Sequence, residues 1–191
     1  MASGSISHPD RLYHSGANQP FLPIKKTHPD LGVPQKKNYL THGKTMLEAA
    51  TRLETILSLI PPKLSSFTGE EVSYKRGPGK WSKKELLGHL IDSAANNHQR
   101  FVRMQIENNL NLPQYQQDAW VSIQCYHHRE WQDLILLWKA YNEQLLYILK
   151  NIDDSKLSNS ATFPESGPKS LQWIINDYII HMEHHCKQLL D

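Results

Sequence analysis

The chain has 191 residues, 39% of them hydrophobic and 21% charged, which is enough apolar material for one well-filled core and favours a single globular domain. A formal charge of +2 is too small for a nucleic-acid partner, which asks for lysines and arginines clustered on one face. No apolar run reaches eighteen residues and "MASGSISHPDRLYHS" lacks a hydrophobic leader segment, so the expectation is a cytoplasmic protein with no membrane partner. Two cysteines, Cys125 and Cys186, make no disulfide framework.

Residues 1–40 read as an extended or disordered tail. They hold five of the eleven prolines and no sustained period of either kind. Arg11, Lys25, Lys26, Lys36 and Lys37 face only Asp10 and Asp30 there, so the excess of positive charge belongs to the tail. The pattern then changes, and 41–191 reads as one helical domain. In "KTMLEAATRLETILSLI" Met46, Ala50, Leu53, Leu57 and Ile60 recur on one face, and Pro61–Pro62 is expected to end the helix.

A turn-rich segment leads to "WSKKELLGHLIDSAANNHQRFVRMQIE". Ser82 and Glu85 have capping-box spacing, and Trp81 and Leu86 occupy the staple positions, so a second helix starts here. The segment "NNLNLPQYQQDAWVSIQCY" reads as a loop. A third helix follows, with Trp131, Leu134, Ile135, Trp138, Tyr141, Leu145 and Ile148 at helical spacing. Beyond a polar stretch with Gly167–Pro168, Ser170 is placed to cap a last helix through Leu171, Ile174, Ile175, Tyr178 and Met182. Four long helices joined by moderately long crossings predict an all-α, up-down type four-helix bundle with an irregular N-terminal extension.

The last helix carries "HMEHHC". His181 and His185 are four apart, hence one turn above each other and able to share an ion. A third ligand must come from a facing helix, and His89, His98, His127 and His128 are the candidates. His89 stands out because it interrupts an apolar run, Leu86-Leu87-Gly88-His89-Leu90-Ile91, where a buried ring must find a partner. Asp92 and Asn96 lie three and seven residues further on along the same stripe, Asp92 as a candidate catalytic group or partner of a ligand histidine and Asn96 as a pocket candidate. Spacing alone leaves open the plain alternative that His181, His184 and His185 form a solvated helix face.

The two blocks "GPGKWSKKELLGHLIDSAANNHQRF" and "DYIIHMEHHCKQLL" together resemble the DinB-like four-helix superfamily, and in particular its YfiT-like branch of metal-dependent hydrolases, over residues 44–191. The resemblance implies that His89, His181 and His185 bind a divalent metal, with Zn2+ expected first and Ni2+, Mn2+ or Fe2+ also suited to three imidazoles. It places the segment "YQQDAW" near the open end of the bundle, which makes Asp118 and Trp120 pocket candidates, and it implies a homodimer. Such a site activates either water for hydrolysis of a small-molecule substrate or a low-molecular-weight thiol for transfer. The alternative reading is a non-catalytic metal-binding or stress-response bundle protein.

Overall fold

The computed structural model describes residues 42–191, with side chains from Met46 onward, so the reading of 1–40 as a tail lies outside the described residues. Helix α1 runs from His42 to Ser65 and buries Met46, Ala49, Ala50, Leu53, Ile56, Leu57, Ile60 and Leu64. Pro61 and Pro62 do not end it, contrary to the expectation. They deprive the backbone of two N–H donors, yet fully buried Leu64 and the bond from Trp131 Nε1 to the Leu64 carbonyl (2.8 Å) hold the final turn in place. Tertiary packing here outweighs the local preference of the proline pair.

A short helix, α2 (Gly69–Ser73), interrupts the turn-rich segment. Its capping box pairs Thr68 with Glu71, a signal present in the sequence but attached to only five helical residues. Helix α3 (Lys83–Ile106) begins as expected: Ser82 Oγ accepts from the Glu85 N–H while the Glu85 carboxylate accepts from the Ser82 N–H at 2.8 Å. An N-cap of this kind contributes about 0.5–2 kcal/mol.

The expected loop after α3 contains a two-residue strand, β1 (Leu110–Asn111), and a seven-residue helix, α4 (Gln117–Ile123). Cys125 then takes a left-handed conformation (φ 54°) that turns the chain into a single 3-10 turn at Tyr126–His128. Helix α5 spans Trp131–Lys150 and buries Trp131, Leu134, Ile135, Trp138, Asn142, Leu145 and Leu149. Tyr141 and Ile148, expected on that face, are half-buried at its edge.

The polar stretch before the last helix is a hairpin. Strand β2 (Ser160–Phe163) pairs antiparallel with β3 (Gly167–Ser170) and parallel with β1, so the order is β1-β2-β3. Gly167 supplies the positive φ (69°) that closes the turn. Polar composition and the strands' short length hid this small sheet. Helix α6 (Leu171–Leu190) follows directly, with Ser170 Oγ accepting from the Trp173 N–H as its cap.

Helices α1, α3, α5 and α6 form the four-helix bundle. Both α1 and α3 pack on α5 and α6, so α1 and α3 stand at opposite corners. α1 and α5 run antiparallel, since Glu54 pairs with Lys150 at one end and Leu64 meets Trp131 at the other. The same holds for α3 and α6: His89 meets His181, and Phe101 packs edge-on against Tyr178. The sheet lies beside the C-terminal end of α3, where Asn159 Nδ2 donates to the Met104 carbonyl (2.7 Å), which leaves His89 and His181 toward the opposite end. The long connection 107–130 climbs back to that end, bringing Tyr126 against Gly88 and His127 within 3.3 Å of Ser82.

Candidate metal centre

His89 is fully buried on α3, between Gly88 and Leu90. Its Nε2 stands 3.1 Å from Nε2 of His181 on α6, close to the edge of about 3.3 Å expected for two corners of a tetrahedron with metal–nitrogen bonds of about 2.0–2.1 Å. His185 completes the cluster. Its ring centroid lies 5.0 Å from that of His89 and 4.4 Å from that of His181, and one nitrogen of each residue falls within 4.8 Å of the others. The helical pair and the lone histidine of the facing helix therefore come together on one side of the α3–α6 interface.

The electrostatics keep these rings uncharged. Burial holds the pKa of His89 down at about 4, with the neighbouring His185 adding to the effect. His181 is held down at about 3, again mainly by burial and then by His185, His89 and His184. Burial lowers that of His185 too, although its bond to Gln188 opposes the shift. At neutral pH the three rings are therefore neutral and their lone pairs available, the form in which imidazole binds a metal. The Nδ1 atoms of His89 and His181 are buried without a protein hydrogen-bond partner. Three convergent neutral imidazoles without a carboxylate among them suit a borderline first-row divalent ion.

Trp81 has two duties. It occupies the staple position before α3 and packs against the core, and its ring also stacks at 5.0 Å on His89, restricting the imidazole. Asp92, one turn beyond His89, is only 2% exposed. Its Oδ1 accepts from the Tyr126 hydroxyl (2.7 Å) and the Gln124 amide, while Oδ2 is buried without a partner. Burial raises the pKa of this carboxyl, and the bonds from Tyr126 and Gln124 pull it back. Tyr126 reaches Asp92 because Gly88 leaves room: a Cβ at that position would fall 2.1 Å from the ring.

The remaining candidates separate. Asn96 turns back on its own helix, donating to the Asp92 carbonyl at 2.9 Å. Trp120 is 39% exposed and packs against Tyr115 at 5.1 Å. Asp118 borders a cleft of about 270 Å³ together with Trp81, Ser122, Tyr126, His127 and His128, so it shares a lining residue, Trp81, with the histidine cluster. His127 and His128 belong to that cleft and not to the cluster. Cys186 is buried, with its thiol pKa pushed up to about 12 chiefly by burial, and stands outside the cluster. Glu183, which lies between the paired histidines in sequence, faces α1: Arg52 Nε and Nη2 donate to its two carboxylate oxygens at 2.8 and 2.6 Å.

Sequence reasoning passed over Gln188, Tyr126 and Gln124. Gln188 carried a readable signal, standing four residues after His184 and three after His185 on one helix. The other two sit on a crossing connection whose path no local pattern encodes.

Comparison with known proteins agrees with this architecture. The family described as the DinB superfamily matches residues 52–189. A protein of Oceanobacillus iheyensis is 23% identical over 134 residues, spanning 70% of this chain and 77% of its own, and one of Halalkalibacterium halodurans is 23% identical over 133 residues, spanning 68% and 77%. Both carry the name "putative metal-dependent hydrolase". Among solved structures, YfiT from Bacillus subtilis, described as "a probable metal-dependent hydrolase with an unusual four-helix bundle topology", superposes with a TM-score of 0.71 at 16% identity, over 83% of this chain and 93% of that one. A DinB-like protein of the same organism gives 0.54 at 17% identity, over 74% and 86%. The helical order, the bundle and a family match covering most of the domain converge: the chain belongs to the DinB superfamily.

Proposed function

We propose that the 41–191 domain is a metal-dependent hydrolase of small substrates, with His89, His181 and His185 as the three protein ligands of a divalent ion, zinc first. The observation that carries this reading is the convergence of three neutral imidazoles from two facing helices, one fully buried and two half-buried. The names of the relatives support the same class. His89, His181 and His185 would hold such an ion by three imidazoles, and it would supply Lewis-acid chemistry for hydrolysis.

The protein's own groups divide the remaining work. Trp81 restricts His89, and the cleft it shares with Asp118 is the route by which a substrate approaches. Asp92 is the group proposed to hold a proton near the site, because Tyr126 and Gln124 fix one carboxylate oxygen and leave the other unpartnered. Its burial, which disfavours the charged form, suits a carboxyl that holds a proton more readily than an exposed one.

Elemental analysis of untagged protein purified without added metal tests the reading, run beside a His89→Ala/His181→Ala variant. One equivalent of a divalent metal in the parent, almost none in the variant, and ester or amide hydrolysis that follows the metal content are expected. A parent that stays metal-free after reconstitution with zinc, nickel, manganese and iron would turn the reading toward a non-catalytic bundle.

A further inference from the structure

His184 and Gln188 are left over by the three-ligand reading, yet both are bonded to each other and, through Gln188, to His185. His185 Nδ1 lies 2.7 Å from Gln188 Oε1, and Gln188 Nε2 lies 3.0 Å from His184 Nε2. The three residues occupy the final turns of α6 at spacings of three and four, where helical side chains meet.

The chemistry of the amide makes this contact directional. A glutamine oxygen only accepts and its nitrogen only donates. With the oxygen against His185, Nδ1 must carry the ring proton, and Nε2 is left as a bare lone pair. Reversing the amide would set an N–H against Nδ1, drive the proton to Nε2 and close the lone pair that an ion needs. In the arrangement observed the amide N–H faces Nε2 of His184, which accepts it when the His184 ring proton sits on Nδ1.

We propose that Gln188 is a positioning residue that fixes His185 in its Nδ1–H form, and that His184 acts as the orienting group that holds the Gln188 amide the right way round. The proposal deepens the metal-centre reading and rests on it for its purpose, but the proton placement it asserts is a property of the protein alone. It also accounts for His184, the middle histidine of the "HMEHH" stretch, which serves the site without touching the ion.

The test uses the full chain and the variants Gln188→Ala, Gln188→Glu and His184→Ala. Zinc affinity is read by competition with a chelating dye, and the proton position on His185 by 15N chemical shifts of metal-free protein above pH 7. The parent should show Nδ1–H on His185. Gln188→Ala should lose that preference and weaken zinc by about 10–100-fold, as is usual when the partner of a ligand histidine is removed. Gln188→Glu, which keeps an acceptor, should retain both, and His184→Ala should fall between. Unchanged 15N shifts and unchanged zinc affinity in Gln188→Ala, with a parent that does bind zinc, would overturn the proposal. A parent that binds no zinc but loses its Nδ1–H signature in Gln188→Ala would sink the metal reading and leave the role of Gln188 standing.

Discussion

The two antiparallel pairs of the bundle are built for different ends. Helices α1 and α5 pack together and bury mainly apolar side chains, Leu53, Leu57, Ile60 and Leu64 on α1 and Leu134, Trp138, Leu145 and Leu149 on α5. Among their described residues the buried polar groups are few and mostly satisfied: Asn142 donates to the Trp138 carbonyl (2.8 Å) and accepts from Tyr178 of α6 (2.6 Å), while Trp138 Nε1 lacks a partner. The α3–α6 side instead carries His89, Asp92, Ser93 and Asn97 in buried positions and leaves three of their or their neighbour's polar atoms unpartnered, on His89, Asp92 and His181. An unpaired buried polar group costs about 1–3 kcal/mol. The difference teaches that stability is supplied on one side so that poorly satisfied polar groups can be held on the other.

The comparison breaks if the apolar side is not the mainstay. Trp138→Ala removes the largest fully buried side chain there and should cost about 3–5 kcal/mol, read as a fall in the urea midpoint. A loss under 1 kcal/mol would show that the buried α5 core is not the mainstay. Next in size is Gly88→Ala on the polar side. The added Cβ meets the Tyr126 ring, so a loss of about 1–3 kcal/mol is expected, together with near-ultraviolet dichroism changes as the tyrosine moves off Asp92. Wild-type stability in that variant would mean that the Tyr126 seat is soft.

How much of this was legible in the sequence follows the same division. The four long helices could be read because their apolar periods and the Ser82 and Ser170 caps are local signals. His89, His181 and His185 stood out for chemical reasons, one as a polar ring inside an apolar run and two as a pair one turn apart. What failed was non-local. The β2–β3 hairpin has a polar sequence, α1 passes through Pro61–Pro62 because Leu64 and Trp131 pull its last turn into the core, and the Tyr126–Asp92 bond joins residues 34 apart. Asp118 and Trp120 sit two residues apart on α4, yet only Asp118 borders the cleft next to Trp81, and no spacing rule separates them.

A smaller effect tests the cost of the polar side. The unfolded chain takes up protons on histidine near pH 6.5, whereas folded His89 and His181 resist until about 4 and about 3. Between those limits the unfolded state binds more protons, so stability falls as pH falls. Replacing both partners of the bond by apolar groups, in His89→Leu/His181→Leu, should leave stability at pH 8 within about 1 kcal/mol of the parent. The variant should lose less stability on going to pH 5 and show no rise in Tm with zinc. A pH dependence equal to the parent's would assign the acid loss to other groups.

The smallest effect separates the site from its surroundings. Glu183 lies between His181 and His185 in sequence, and a reading from proximity alone would enlist it as a general base or a fourth ligand. Its carboxylate is instead held by Arg52 of α1 through two bonds, on the far side of the helix from the paired rings. Both partners are partly exposed, and such pairs are worth about 0.2–1 kcal/mol even with good geometry. Glu183→Gln should therefore shift the urea midpoint slightly, lose that shift in high salt, and leave zinc affinity unchanged within about twofold. A tenfold fall in zinc affinity would place the carboxylate in the proposed metal centre and overturn the division between a helix face that stabilises and a helix face proposed to bind.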